Sequence, residues 1–316
     1  MTHTADIPMT LDVACHLNVV VADASPASLE RALPALADLG IHRVVLPPLD
    51  PAATDARAMR EAFARSEVSP ITIAGQAPGA DVSSDDADER AAGVAALRQA
   101  LRLTADLGGD QMNGVPYGLF GPPGAPVPGA RVEEAARLVG EVADEAAALG
   151  IVMTFEVLNR YETSVVNTAE QAMRFAEASG SENLRIHLDT FHMAVEEADL
   201  EAAIRLALPR LAYLELGQSG RGPLSGGAVD IPQIVRQALD DGYRGRFGVE
   251  AFSRSVLAEP VADMLAIWRS PYDDGVELMR DALRVIRSGW AASTAVRREI
   301  RLARGGSKKR PFYSIV

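Results

Sequence analysis

Four acidic residues stand at the ends of four successive β-rich runs: Glu156 in IVMTFE, Asp189 in LRIHLD, Glu215 in LAYLEL and Glu250 in FGVEAF. If those runs are parallel neighbours in one sheet, their C-terminal ends share a rim and the four carboxylates converge. Buried anions without compensation repel one another at high cost. A divalent cation removes that cost, and carboxylate oxygens suit magnesium or manganese. A single such acid would be read as a helix cap or ion-pair partner; four at equivalent positions point to a metal. Polar groups suited to a polyhydroxy ligand lie close by. Asn159, Arg160 and Glu162 follow Glu156, His192 lies three residues past Asp189, Arg221 lies six past Glu215, and Asn113 falls in the fourth run.

The elements that must position these residues alternate along the whole chain. Strand candidates fall at 15–21, 42–48, 69–75, 110–116, 150–156, 184–189, 211–216 and 246–252, separated by amphipathic helical stretches such as SLERALPALADLG and VEEAARLVGEVADEAAALG. Ser25-Pro26, and Asp230 ahead of Pro232, carry helix-start signals: a capping oxygen with proline in the first turn. Eight strands, each followed by a helix, define a (β/α)₈ TIM barrel of the α/β class. The rival open doubly wound sheet would carry a Gly-rich phosphate loop after its first strand, and VVVADASPAS offers none. The Gly/Pro-rich stretch YGLFGPPGAPVPGAR (117–131) follows the fourth strand, at the end of a barrel where loops build active sites.

Composition narrows the function further. The 316 residues are 48% hydrophobic and 23% charged, with no apolar run near the ~20 residues of a membrane span. The N-terminus lacks a secretory pattern and the one cysteine, Cys15, excludes an internal disulfide, so a cytoplasmic location is expected. The net charge of −12 argues against nucleic acid or an anionic membrane as partner. Residues 291–316 hold seven Lys or Arg against one acid, leaving residues 1–290 at −18. The expected organisation is an N-terminal tail (1–12), a catalytic barrel (13–290) and a disordered basic tail (291–316). The end of that tail, IRLAR followed by KKRPFY, resembles the opening segment of a bacterial small-subunit ribosomal protein.

The stretches FEVLNRYETSVVNT, HLDTFHM and GVEAF resemble the xylose-isomerase-like barrels, in particular the D-tagatose or D-psicose 3-epimerase group of sugar isomerases and epimerases. The resemblance runs from the first strand to Trp290. It implies that Glu156 and Glu250 bind the metal and also exchange the substrate proton, and that Asp189 is a further ligand. It places His192, Glu162 and Arg221 against the substrate, with Asn113 added to that set. The seventh strand departs from the family pattern His-x-Gly-Glu-x-Asn-Arg. Here the same spacing reads Glu215-Leu216-Gly217-Gln218-Ser219-Gly220-Arg221, so the family's histidine ligand is replaced by Glu215. Gaining an anion at Glu215 while losing one at Gln218 reads as charge compensation. An all-oxygen donor set of Glu156, Asp189, Glu215 and Glu250 would favour a harder ion.

The function that follows is a divalent-metal-dependent epimerase or isomerase of a ketose-like sugar or oxo-polyol. One glutamate would remove the proton beside the carbonyl, leaving an enediolate held at the metal, and the other would reprotonate the opposite face. Manganese is the first choice of ion, with magnesium or cobalt as alternatives, and a homo-oligomer is the family expectation. One competing reading is a metal-dependent lyase that β-eliminates from 3-oxo-glycosides. Another is a barrel that binds sugar without turning it over. A DNA-repair endonuclease on this fold would need a histidine-rich zinc cluster, for which His3, His16, His42, His187 and His192 are too few.

Overall fold

The computed structural model describes residues 11–297, together with the backbone of residues 304–307 and 310–313. Eight parallel strands close a barrel in chain order: β1 (Val13–His16), β2 (Arg43–Val45), β3 (Ser69–Ala74), β4 (Gln111–Gly114), β5 (Val152–Val157), β6 (Leu184–Asp189), β7 (Leu211–Leu216) and β8 (Arg246–Val249), with β8 pairing back onto β1. Around it run α1 (Pro26–Ala37), α2 (Ala56–Arg65), α3 (Ala87–Leu107), α4 (Gly129–Ala148), α5 (Ala169–Ala178), α6 (Thr190–Glu196), α7 (Leu200–Ala207), α8 (Ile231–Asp240), α9 (Glu259–Met264) and α10 (Gly275–Ala292). The closed barrel is the fold that the alternation of strands and helices implied. Ser25 and Asp230 cap α1 and α8 as expected, each accepting a backbone N–H from the first turn. No helix of the described residues is long and apolar enough to cross a membrane.

The first strand differs from its sequence reading. The apolar run 15–21 is mostly not β: after His16 the chain enters a 3-10 turn at Leu17–Val19, and the pairing residues are Val13–His16. Asn18 turns the chain by donating from Nδ2 to the Val21 and Ala22 carbonyls. Leu17, Val19 and Val21 are buried in the main core, so a buried turn carried the composition of a strand.

Pleating sends alternate side chains into the barrel, where they stack in layers. At the N-terminal end Arg43 and Arg246 bind Asp12 and Asp110 in a closed network. Above it lie Ala14, Val45, Ile71 and Tyr213. The inward position of β8 at this level is Gly248, whose missing side chain makes room for the Tyr213 ring; a Cβ there would collide with its hydroxyl. The top layer is the carboxylate rim.

The folded chain extends past the boundary expected at residue 290. α10 ends at Ala292, Asp240 accepts from the Ser293 hydroxyl and the Thr294 and Ala295 N–H groups, and Val296 is buried. In the tail, β9 (Arg304–Ser307) pairs antiparallel with β10 (Arg310–Tyr313). The rest of the expected C-terminal tail, and the N-terminal tail up to residue 10, lie outside the described residues.

Candidate metal centre

Register alone brings the acids together. Glu156 on β5 pairs with His187 on β6, and Asp189 at the end of β6 pairs with Glu215 on β7. Glu215 pairs in turn with Gly248 on β8, and Glu250 follows that strand with its N–H reaching the Leu216 carbonyl. Three overlapping sets of ligand atoms lie within 4.8 Å of one another: Glu156, His187 and Glu215; Glu156, Asp189 and His192; and Asp189, Glu215 and Glu250. All four acids named from the sequence therefore meet in one cluster. Gly217 keeps it open, since a Cβ there would stand 2.7 Å from Asp189 Oδ1.

Arg221 is the cation of this cluster. Its Nη1 donates to Asp189 Oδ2 at 3.2 Å and to Glu250 Oε2, and its guanidinium lies 3.6 Å from the centre of the Phe191 ring, with Phe252 beyond. Arg221 adopts a positive φ of 55° to aim the side chain inward. Burial pushes Glu156 up to about 7 and Asp189 up to about 6. Burial, then the charges of Glu250 and Asp189, push Glu215 far above the carboxylate range. Burial also acts on Glu250, but Arg221 and His16 outweigh it and hold its pKa below the ordinary value.

The histidines divide by what holds their protons. His192 Nδ1 accepts from the Asn159 backbone N–H at 3.2 Å and from Asn159 Nδ2 at 2.8 Å, the amide being oriented by Tyr161 N–H on its oxygen. The proton of a neutral His192 must then sit on Nε2, which faces Glu156 Oε1 at 3.4 Å and Asp189 Oδ2 at 3.7 Å. His16 repeats the arrangement: Nδ1 accepts from Asn18 N–H, and Nε2 faces Glu250 Oε1 at 3.8 Å. Burial lowers the pKa of both, which keeps each ring neutral. His187 is different: its Nε2 lies 3.0 Å from Glu215 Oε2, while its Nδ1 has no hydrogen-bond partner.

The remaining sequence candidates fall around this cluster. Glu162 Oε2 is 3.8 Å from His192 Nδ1, its side chain partly exposed. Asn113 is buried deeper, its Oδ1 accepting from Gln111 and Thr154. Arg160 pairs with Glu196 at the surface. Gln218 corrects the idea of charge compensation with Glu215. Its Nε2 donates to the Leu224 and Val229 carbonyls and its Oε1 accepts from Ser219 and Val229 N–H groups. It clamps the loop after β7, facing away from the carboxylates, so its neutrality offsets nothing at the rim. His187, His16, Phe191 and Phe252 were not picked out from the sequence. For His187 the signal was present, because LRIHLD alternates and places residue 187 on the same face as Asp189.

The residues fit a divalent cation on their own chemistry. Buried oxygen donors converge, burial favours the protonated form of three of the acids, which a cation would reverse, and Glu215 Oε1 is buried without any hydrogen-bond partner. Fold and donor set together define a barrel whose C-terminal rim carries a carboxylate cluster able to hold a metal ion. The xylose isomerase-like TIM barrel family matches residues 33–288, and the chain belongs to that family.

Relatives narrow the comparison. A ketose 3-epimerase of Arthrobacter globiformis is 34% identical over 277 residues, covering 88% of this chain and 96% of its own. An L-ribulose 3-epimerase of Mesorhizobium japonicum is 32% identical over 280 residues, 88% and 93% of the two chains. Among solved structures, one of an L-ribulose 3-epimerase superposes with a TM-score of 0.85 at 31% identity, covering 96% of this chain and 100% of that one. A D-allulose 3-epimerase from Methylomonas sp. in complex with D-allulose gives 0.83 at 29% identity, covering 90% and 99%.

Proposed function

We propose that this protein is a divalent-metal-dependent epimerase of ketose sugars, inverting the carbon beside the carbonyl. The observation that carries the reading is the placement of Glu156 and Glu250. They project into one cluster from strands three apart in an eight-stranded barrel, roughly 135° around its axis. A substrate carbon lying between them would meet one carboxylate on each face. One glutamate takes the proton from that carbon and the other delivers a proton to the opposite face, which inverts the centre. Arg221 and His16 hold Glu250, and the Nε2–H of His192 is aimed at Glu156, so neither base swings freely. Glu162, Arg221 and His192 would supply hydrogen bonds to a polyhydroxy substrate, and Phe191 and Phe252 flank the Arg221 guanidinium.

Glu156, Asp189, Glu215 and Glu250 are the residues that would hold the ion, manganese being the first choice. The chemistry such an ion supplies when bound is Lewis-acid stabilisation of negative charge developing on the carbonyl oxygen. The ketose class is suggested by relatives that span nearly nine-tenths of the chain.

The test is proton exchange in deuterated water. Protein stripped of metal and reloaded with Mn²⁺, Mg²⁺ or Co²⁺ is incubated with a panel of ketoses and 3-oxo-glucosides. Metal-dependent deuterium uptake beside the carbonyl, with formation of the epimer, is expected. Glu156→Gln and Glu250→Gln should each lose about 10²–10⁴-fold of it with their circular dichroism unchanged. Release of an aglycone from the glucosides would replace the epimerase by a lyase. Exchange that survives in both variants, or occurs on no substrate, would overturn the assignment.

A further inference from the structure

The centre contains three histidines, and their hydrogen bonds decide which of them has a nitrogen to offer. His192 and His16 each accept a backbone N–H at Nδ1, so each neutral ring carries its proton on Nε2, the nitrogen that faces the carboxylates. Neither can ligate through Nε2 without becoming an imidazolate. The set Glu156, Asp189 and His192 therefore contributes its two acids but no nitrogen. The all-oxygen set Asp189, Glu215 and Glu250 has the Arg221 guanidinium bonded to two of its three members. The set Glu156, His187 and Glu215 has neither obstacle.

We infer that the ion's nitrogen ligand in this chain is His187, with Glu156 and Glu215 completing a three-donor set. The inference rests on the metal-dependent reading above and corrects its all-oxygen donor set. The His187 ring is 2% exposed and points inward from the middle of β6, directly across from Glu156 on one side and Tyr213 on the other. No donor occupies its Nδ1, so the proton that Nε2 can share with Glu215 Oε2 is free to move to Nδ1 and leave the Nε2 lone pair to an ion. The 3.0 Å between His187 Nε2 and Glu215 Oε2 matches the separation of adjacent donors around an octahedral ion with bonds of about 2.1 Å. An ion there would also give the unpartnered Glu215 Oε1 a contact. A nitrogen donor among the carboxylates favours Mn²⁺ or Co²⁺ over Mg²⁺.

The experiment is pulsed electron paramagnetic resonance on the Mn²⁺-loaded full-length protein, read independently of turnover. Nitrogen-14 modulation is expected in the wild type, changing to the nitrogen-15 pattern after labelling with ¹⁵N-histidine. It should vanish in His187→Gln, and Mn²⁺ affinity should fall there by at least ~10-fold, the lower end of what even an indirect partner of a ligand contributes. The loss for Mg²⁺ should be smaller. His16→Gln and His192→Gln should keep the modulation, which assigns it by elimination if His187→Gln does not fold. Absence of nitrogen coupling in wild-type protein that binds Mn²⁺, or its loss in either control variant, would overturn the role of His187 and leave the metal reading standing. Failure of the wild type to bind Mn²⁺, Co²⁺ or Mg²⁺ would overturn both.

Discussion

Replacing Arg221 by methionine should weaken the metal-free protein and, at the same time, tighten its hold on a divalent ion. Arg221 is buried and bonded to Asp189 and Glu250. Removing one partner of a buried ion pair costs about 3–5 kcal/mol, because the other charges are left uncompensated. At pH 8 Glu156, Asp189 and Glu250 are ionised. Arg221 is then one positive charge against three negative ones. A bound ion adds two more positive charges, so in loaded protein the same substitution should cost only about half as much. The difference of about 2 kcal/mol must reappear as tighter binding, since the two effects close one thermodynamic cycle. It corresponds to roughly a 30-fold lower Kd. The assay is Mn²⁺ titration of both proteins at pH 8 by calorimetry, with urea unfolding of the metal-free and loaded forms. An unchanged or weaker affinity in Arg221→Met would refute the reasoning. It would mean that the guanidinium does not compete with the ion for the rim's negative charge.

Four further outcomes are expected. Because burial raises Glu156, Asp189 and Glu215, these groups hold protons in the metal-free protein that a ligated ion must displace; affinity should rise as pH climbs through about 6–7. Mn²⁺ binding measured in buffers of different ionisation enthalpy should release protons, and more of them at pH 6 than at pH 8, as Glu156 and Asp189 ionise between the two; release that does not change with pH would refute their place in the ligand set. The same raised values make the metal-free fold less stable as pH rises above the unfolded carboxylate range toward 7, so the gain in melting temperature on adding metal should be larger at pH 8 than at pH 5.5. Tyr213→Phe should leave stability unchanged or raise it by up to ~1–3 kcal/mol, because the Tyr213 hydroxyl is buried without a partner. A marked fall in its melting temperature would show that the hydroxyl is satisfied after all.

What the sequence revealed and what it hid follow from the same geometry. A parallel barrel converts position along a strand into height in the molecule, so acids at the ends of four successive apolar runs had to meet, and Glu156, Asp189, Glu215 and Glu250 do. Period-two alternation also carried His187 onto that inner face. Its significance lay in a contrast visible only in three dimensions: Asn159 and Asn18 donate to Nδ1 of His192 and His16, and no donor occupies Nδ1 of His187. Loop residues escaped the reading because no period governs them. Gln218 sits three residues from Glu215 in the chain, yet past Gly217 the backbone leaves the strand, and its amide turns to carbonyls at Leu224 and Val229 that no local pattern announces. Proximity in sequence therefore suggested a charge exchange between residues 215 and 218 that the fold does not make. The exchange it does permit lies across strands. Glu215 faces His187 on the neighbouring strand, so an imidazole absent from the seventh strand is present beside it on the sixth, within bonding distance of the carboxylate that took its place.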